Sequence, residues 1–232
     1  MPKVDVKCAF CRQTDPVRKH GYGKGKHLRY RCLACRRTFQ LDYTYRACQP
    51  GIKEQIVDLT MSNAGIRDTA RALHISINAV IRTFKKLSPR NVTTLPRGNL
   101  QIHLICEVDE MWSFVGSKKC QRWLWYVWEP RLKQIIGHVF GSRSKKTLRR
   151  LLKLLSGFNV AFWCTDGYRA YSRELPDAKH IVGKLYTQRI ERENLTLRNR
   201  LKRLNRKTLG YSKSPEMHDR IIGTFIEREY YF

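Results

Sequence analysis

Acidic residues are scarce in this sequence, which holds 19 Asp and Glu against 46 Lys and Arg among its 232 residues. The formal net charge of +27 and the pI near 10.2 indicate a polyanionic partner. Nucleic acid is the first candidate, because each phosphate that a Lys or Arg neutralises releases counterions and adds affinity. A membrane surface is the weaker alternative.

Long apolar runs are also missing. No stretch approaches the roughly 18 apolar residues that a membrane-spanning helix needs, and the N-terminal MPKVDVKC does not read as a signal peptide. We therefore expect a cytoplasmic protein without a membrane partner, in which disulfides are disfavoured. The hydrophobic content of 42% excludes wholesale disorder and is enough for one large domain or two to three small ones.

Eight cysteines in such a protein need another explanation. Cys8 and Cys11 form one CxxC pair, Cys32 and Cys35 form a second, and 20 residues separate the two pairs. Two CxxC turns can supply the four thiolates of a tetrahedral zinc site, so we predict a zinc ribbon whose Zn²⁺ is structural. The remaining cysteines lack this spacing, and we interpret them as buried or half-buried thiols: Cys48, Cys106, Cys120 and Cys164.

The segment from 50 to 88 reads as three short helices, the last of which begins after Ser76, a favourable N-cap. Two short helices, a tight turn and a third helix predict a DNA-reading helix-turn-helix; an ordinary three-helix packing unit is the alternative. His74 occupies the turn, where Gly is commoner. The third helix has an apolar face formed by Ile77, Val80, Ile81 and Phe84. Its exposed, DNA-contacting residues are then Asn78, Arg82, Lys85 and Lys86.

Two prolines and a glycine between residues 89 and 100 predict a linker. Beyond it the apolar patterns give three strands, a helix, a strand, a helix, a strand and a basic helix. The amphipathic tail after Lys213 predicts a final core helix, with a part in assembly of the subunits as the alternative. This order is typical of a mixed sheet with helices on its faces, the layout of the ribonuclease-H-like fold.

Two acids occupy informative places in this half of the chain. Asp109 lies late in an apolar strand, and Asp166 lies at the C-terminal end of another. An arginine partner for Asp109 and a turn or N-cap role for Asp166 are the ordinary explanations. With a glutamate from the basic helix, however, the two aspartates could hold two Mg²⁺ ions about 4 Å apart. Either Glu191 or Glu193 could supply it, and a helical wheel puts Glu193 nearer the apolar stripe.

Several segments together closely resemble the insertion sequence one (IS1) family of bacterial transposases. They are the two CxxC pairs, the helix-turn-helix, VDEMWSFVGSK, QRWLWYVW, HVFGSR, TDGYRAY and YTQRIERENLTLR. The resemblance covers nearly the whole chain. It implies a DDE transposase whose zinc ribbon and helix-turn-helix bind the terminal inverted repeats, and whose catalytic domain is ribonuclease-H-like.

Carried over by position, the family's acids fall on Asp109, Asp166 and Glu191, with 24 residues between the second and third. The resemblance also implies that Arg198 and Lys202 contact DNA, that Mg²⁺ is the catalytic cofactor, with Mn²⁺ able to replace it, and that the protein is nucleoid-associated. We expect double-stranded DNA, both terminal repeats and target, as partner, and at least a homodimer on it. The predicted domains are a zinc ribbon (1–46), a helix-turn-helix (50–88), a linker (89–100) and an α/β catalytic domain (101–232).

Other functions remain open at the level of sequence. The chain could be a zinc-ribbon and helix-turn-helix regulator without catalysis, or a metal-dependent nuclease. A tyrosine recombinase needs an H-x-x-R followed by a nucleophilic tyrosine, and the run from His218 to Ile221 does not fit that spacing. Two DNA-reading modules ahead of the acids favour recognition of DNA ends, and hence transposition.

Overall fold

The first forty residues form a small three-stranded antiparallel sheet. The computed structural model describes residues 5–23, 25–43, 45–94 and 103–231, and here it places strands β1 (Val17–Tyr22), β2 (Leu28–Cys32) and β3 (Thr38–Gln40). β2 and β3 flank the second CxxC pair, as the sequence predicts. The few buried side chains of this small sheet and its loops include Cys8, Cys32 and Phe39. A core this small rarely stabilises a fold without an added cross-link or metal.

Three helices follow, and their order is that of a helix-turn-helix: α1 (Ile52–Met61), α2 (Ile66–Ala72) and α3 (Ile77–Lys85). The turn before α3 contains His74 in the left-handed region, with φ 52°, a conformation that His adopts more readily than most residues. Ser76 caps α3 by accepting a hydrogen bond from the Ala79 N–H at 3.2 Å, as predicted. Ile77 was wrongly assigned to the apolar face, because it is 45% exposed.

The second half of the chain forms a five-stranded mixed sheet. Its strands are β4 (Leu104–Val115), β5 (Ser117–Glu129), β6 (Gln134–Gly141), β7 (Val160–Thr165) and β8 (His180–Val182). They lie side by side in the order β6-β5-β4-β7-β8. β4, β5 and β6 form an antiparallel meander, while β7 and β8 run parallel to β4. The predicted mixed sheet is therefore confirmed.

Helices cover both faces of this sheet. α4 (Lys145–Leu154) and α5 (Arg169–Glu174) share one core with the sheet, while α6 (Gln188–Arg200) and α7 (Pro215–Tyr230) share a second core with its other face. Side chains alternate along a strand, so neighbouring residues of β4 belong to different layers. No helix in the described part of the chain is long and apolar enough to cross a membrane.

Helix α7 links the two halves of the molecule. Ile222 and Phe225 pack in the sheet core, whereas Ile221 packs in the core of the three N-terminal helices. An ion pair between Arg228 and Asp58, 2.6 Å apart, also joins α7 to α1. The tail is thus a core helix, as predicted, and it serves two cores.

The segment predicted as a linker does not stand apart from the domains. The Thr93 N–H donates to the carbonyl of Ile136 at 2.9 Å, the His138 N–H donates to the carbonyl of Asn91 at 2.9 Å, and Thr93 is buried. These bonds extend the edge of β6, so this part of the predicted linker packs on the sheet. Residues 95–100 of the same prediction lie outside the described residues.

Candidate active site

The pairing of β4 with β7 brings Asp109 and Asp166 together. Glu107 pairs with Cys164 at the end of the parallel ladder, so Asp109 and Asp166, each two residues further on, occupy equivalent positions. Asp166 follows the last residue of β7, as expected. Asp109 was expected late in its strand but lies in the middle, because β4 continues to Val115 beside β5 alone.

Helix α6 contributes the third acid to the same place. The buried carboxylate of Glu107 accepts a hydrogen bond from the Ile190 N–H at 2.8 Å, which fixes the first turn of α6 against β4. Glu191 lies in that first turn. Asp109, Asp166 and Glu191 line one open cleft of about 780 Å³.

Glu193, the rival for the third position, is bound elsewhere. The Tyr230 hydroxyl of α7 donates to its carboxylate, and Glu193 is not among the residues that line the cleft. The helical wheel correctly put Glu193 near the apolar stripe. Because that stripe packs against α7, proximity to it turns Glu193 towards the protein and leaves Glu191 facing the cleft.

Burial and neighbouring charge both act on Asp109. The pKa of this carboxyl is raised to about 6, with burial as the largest cause. Two hydrogen bonds lower the pKa, and the nearby carboxylates of Asp166 and Glu191 raise it. The donors are the Asn194 side-chain amide at 2.6 Å and the Glu110 N–H at 2.8 Å. A site that accumulates negative charge in this way favours a bound cation.

Among the residues that the structure describes, no basic side chain neutralises any of the three acids. Nine ion pairs occur among the described residues, and none includes Asp109, Asp166 or Glu191. The arginine partner considered for Asp109 is therefore not found in the part of the chain described. Asp166 does make the turn that was considered for it, since its Oδ1 accepts from the Tyr168 N–H at 2.9 Å. In the described part of the chain, no bond of its other oxygen is found.

The donor set of the cleft suits a hard divalent cation. Mg²⁺ prefers carboxylate oxygens and keeps several waters, and three carboxylates that pair with no described basic side chain provide that environment. The three do not form a single tight ligand cluster: across the described residues, only the four cysteines have ligand atoms all within 4.8 Å of one another. Two ions about 4 Å apart, each bound by part of the set, do not need all three carboxylates in one such cluster.

Asn194 is a site residue that the sequence interpretation missed. Its amide donates to Asp109, while its carbonyl accepts from the buried Tyr126 hydroxyl at 3.0 Å, so both ends of the side chain are fixed. The signal was present in the segment YTQRIERENLTLR, in which Asn194 follows Glu191 by three residues and therefore shares its side of the helix.

Arg198 and Lys202, the two basic residues near the end of α6 that were predicted to contact DNA, differ in their position relative to the cleft. Arg198 lines the cleft, and its guanidinium donates to the carbonyls of Leu204 at 2.6 Å and Trp112 at 3.2 Å. Burial lowers the pKa of Arg198. Lys202 is exposed and does not line the cleft.

The four cysteine thiols predicted to bind zinc converge. The Sγ atoms of Cys8 and Cys35 are 3.6 Å apart, and those of Cys11 and Cys32 are 3.5 Å apart. A tetrahedral zinc ion with Zn–S bonds of about 2.3 Å places its sulfurs roughly 3.8 Å apart. The cluster is therefore compatible with zinc. Of the other thiols, Cys106 and Cys164 are buried as expected, but Cys48 and Cys120 are exposed, contrary to the interpretation above.

The residues expected to read DNA from α3 all face solvent. Asn78, Arg82, Lys85 and Lys86 are exposed, and within the described chain none of them enters an ion pair. Because Val80 and Phe84 bury the other side of the helix, this exposed side is available to a ligand.

Comparisons with known proteins cover most of the chain. Residues 103–232 match the family model described as IS1 transposase, and residues 43–88 match the helix-turn-helix model described as InsA C-terminal domain. Insertion element iso-IS1n protein InsB of Shigella dysenteriae is 51% identical over 129 residues, which are 56% of this chain and 98% of that protein. Insertion element IS1 2 protein InsB of Escherichia coli K12 is 46% identical over 148 residues, 64% of this chain and 89% of that protein.

A solved structure, a simian T-cell lymphotropic virus intasome in complex with a PP2A regulatory subunit, is also similar, with a TM-score of 0.33 and 15% identity over 62% of this chain and 59% of that chain. This similarity is too low to carry an argument.

Proposed function

Because the chain belongs to the IS1 transposase family, we propose that it binds the terminal inverted repeats of a bacterial insertion sequence and performs metal-dependent DNA cleavage and strand transfer. The observation that carries this proposal is the set of three acids that line one open cleft in a chain of net charge +27 and have no ion-pair partner among the described residues. The strand order β6-β5-β4-β7-β8, with β5 antiparallel to both its neighbours, supports a ribonuclease-H-like catalytic domain.

Asp109, Asp166 and Glu191 would hold two Mg²⁺ ions, which Mn²⁺ could replace. Bound there, divalent cations activate the attacking oxygen and stabilise the leaving oxygen of a phosphodiester. The protein's own contribution is orientation. Asn194 fixes the rotamer of Asp109, and Glu107 fixes the turn that carries Glu191.

Recognition of the DNA ends would fall to the N-terminal half. In a helix-turn-helix the residues at the start and along the exposed side of the second helix reach base edges, which suits Asn78 and Arg82. Lys85 and Lys86 suit phosphate contacts, and so does Lys202 near the cleft. The zinc ribbon, held by Cys8, Cys11, Cys32 and Cys35, would add a second contact with the repeat. Joining two ends requires at least a dimer on DNA.

Strand transfer with purified protein, labelled DNA carrying the element's ends and Mg²⁺ tests the proposal. We expect Asp109→Asn, Asp166→Asn and Glu191→Gln to bind the ends normally but to lose cleavage and joining by about 10³-fold or more. Glu193→Gln is the matched control, since the same change two residues along alters a carboxylate outside the cleft. It should retain activity.

The outcomes separate the rival functions. Full activity in the Asp109 and Asp166 variants would refute the metal mechanism and favour the regulator. Cleavage of the ends without any joining would favour the nuclease. Loss of activity in Glu193→Gln with retention in Glu191→Gln would move the third ligand to Glu193.

A further inference from the structure

A second carboxylate next to the site holds an arginine at the mouth of the cleft. Glu110 follows Asp109 in β4 and points to the other layer of the sheet. Its side chain is 2% exposed, and its Oε1 accepts from Arg143 Nε at 2.8 Å and from Nη2 at 2.7 Å. The Tyr171 hydroxyl donates to its other oxygen. None of the proposed roles above uses this network.

The guanidinium of Arg143 is fixed in orientation as well as in position. Its Cζ lies 4.3 Å from the centre of the Tyr168 ring and 5.2 Å from that of Trp123, so aromatic rings restrict it in addition to the carboxylate. Arginine is suited to this arrangement because its planar fork can bind a carboxylate along one edge and stack on rings with its faces.

One nitrogen of this fork is left for a ligand. The bonds to Glu110 use Nε and Nη2, and among the described residues no hydrogen bond of Nη1 is found. The Arg143 side chain is 44% exposed, and it lines the cleft together with Asp109 and Asp166. A pair formed only for stability would gain little from burying Glu110, because burial of a charged pair is close to neutral in free energy.

We propose that Arg143 binds a nonbridging oxygen of a DNA phosphate beside the scissile bond, and that Glu110 and Tyr171 are positioning residues that aim its Nη1 into the cleft. This inference rests on the proposed function. Its ligand is a phosphodiester, whose oxygens accept N–H bonds from arginine with the same geometry as a carboxylate. Since Arg143 is already oriented by its neighbours, little conformational entropy is lost when the phosphate binds.

The chain offers a matched control in Arg149. Its Nε and Nη2 bind both oxygens of Glu174 at 2.7 and 2.9 Å, its side chain is 68% exposed, and it does not line the cleft. Arg149→Ala thus removes an arginine from a similar pair on the same protein, outside the site.

The test is single-turnover cleavage of end DNA in which one phosphate at a time, along the cleavage region, is replaced by a neutral methylphosphonate. We expect Arg143→Ala to lower the rate on normal DNA by about 10²-fold, the loss typical of one transition-state donor. Methylphosphonate at one position should slow cleavage by the wild type by a similar factor. At that position, Arg143→Ala should cleave the modified DNA at a rate within about threefold of its rate on normal DNA. Arg143→Lys should recover little, because an ammonium cannot form the fork.

Glu110→Gln provides the readout for positioning. This variant should bind DNA and zinc as the wild type does, but it should cleave more slowly. Its cleavage rate should also become insensitive to methylphosphonate at the same phosphate as that of Arg143→Ala. If the rate loss caused by Arg143→Ala adds to the rate loss caused by the methylphosphonate at every position tested, Arg143 is structural and the inference is overturned. It is also overturned if Arg143→Ala cleaves as fast as Arg149→Ala. Should Arg143→Ala fail to fold, Arg143→Gln is scanned instead.

Measuring Asp109→Asn in the same assay distinguishes failure of the role proposed for Arg143 from failure of the proposed function. If Asp109→Asn cleaves normally, the metal mechanism itself is wrong. If Asp109→Asn is inactive while Arg143→Ala behaves as Arg149→Ala does, only the role of Arg143 is lost.

Discussion

Removing the amide of Asn194 should weaken metal binding without unfolding the site. Asn194→Leu keeps a side chain of similar size on α6 but deletes the 2.6 Å hydrogen bond to Asp109 Oδ2. The Tyr126 hydroxyl, which donates to Asn194 at 3.0 Å, keeps a second acceptor in the carbonyl of Ile190 at 3.2 Å. The change therefore falls mainly on the orientation of the Asp109 carboxylate.

The size of the effect follows from the kind of bond that is lost. A hydrogen bond to a charged group contributes about 1.5–3 kcal/mol, which corresponds to roughly 10- to 150-fold in an equilibrium constant. Substituting a residue that orients a metal ligand typically lowers metal affinity or activity by about 10- to 100-fold. The two estimates agree, so we expect the Mg²⁺ concentration for half-maximal cleavage to rise by about one to two orders of magnitude.

The assay is a Mg²⁺ titration of single-turnover cleavage, with Asn199→Leu as control. Asn199 is exposed on the same helix and does not line the cleft, so its replacement should leave the titration unchanged. Binding of end DNA without metal should be equal in both variants. If Asn194→Leu titrates with Mg²⁺ as Asn199→Leu does, Asn194 does not orient a metal ligand and the geometry has been misread.

Three further outcomes follow from the packing. Cys32→Ser, or removal of zinc with a strong chelator, should unfold the N-terminal ribbon and weaken end binding while the helical circular dichroism of the rest persists; unchanged end binding would contradict a structural metal. Ile221→Ala should cost about 2–5 kcal/mol in urea unfolding, because Ile221 is fully buried between α7 and the N-terminal helices; a loss below about 1 kcal/mol would argue against that shared core. Burial lowers the pKa of both His138 and His218 to about 3, so each stays neutral in the folded protein. The stability that each histidine contributes should therefore be full above about pH 6.5 and fall below it by up to about 1.4 kcal/mol per pH unit. The raised pKa values of Asp109 and Glu110 act in the opposite direction, so the measured quantity is the difference between His218→Gln and the wild type. That difference should amount to the slope of one histidine between pH 6 and 4, and an unchanged slope would refute the assignment.

The elements could be predicted because their patterns are local. Apolar runs of β-branched and aromatic residues gave the strands, a 3.6-residue period gave the helices, and their order gave a mixed sheet. Ile77 shows where a helical wheel fails. It is in phase with Val80 and Phe84 on α3, yet it is 45% exposed and does not belong to the core that those two residues share with α1 and α2.

The unpredicted features all depend on contacts between distant parts of the chain. Glu193 could not be set apart from Glu191 without knowing that α7 brings Tyr230 to it, 37 residues away in sequence. The bond between Asn194 and Asp109 spans 85 residues, and the pair of Glu110 with Arg143 spans 33. A sequence pattern indicates which side of an element a residue is on, but not what the fold places opposite that side.

Two of the arginines that line the cleft are bound by groups other than its acids. Arg143 and Arg198 line the cleft together with Arg206 and Lys207, and each of these cations would be attracted to the cleft carboxylates. A cation at 4 Å from one of them would gain roughly 4 kcal/mol at an effective dielectric of 20, and it would compete with a metal for that carboxylate. The fold binds two of these guanidinium groups elsewhere: Glu110 binds Arg143, and two backbone carbonyls bind Arg198. A buried glutamate beside the site thus holds Arg143 away from the acids that are proposed to bind the metal ions. It follows that Glu110→Gln should also release Arg143 towards Asp109 and lower the apparent Mg²⁺ affinity. A Glu110→Gln enzyme with wild-type Mg²⁺ dependence would show that nothing needs to hold this arginine away.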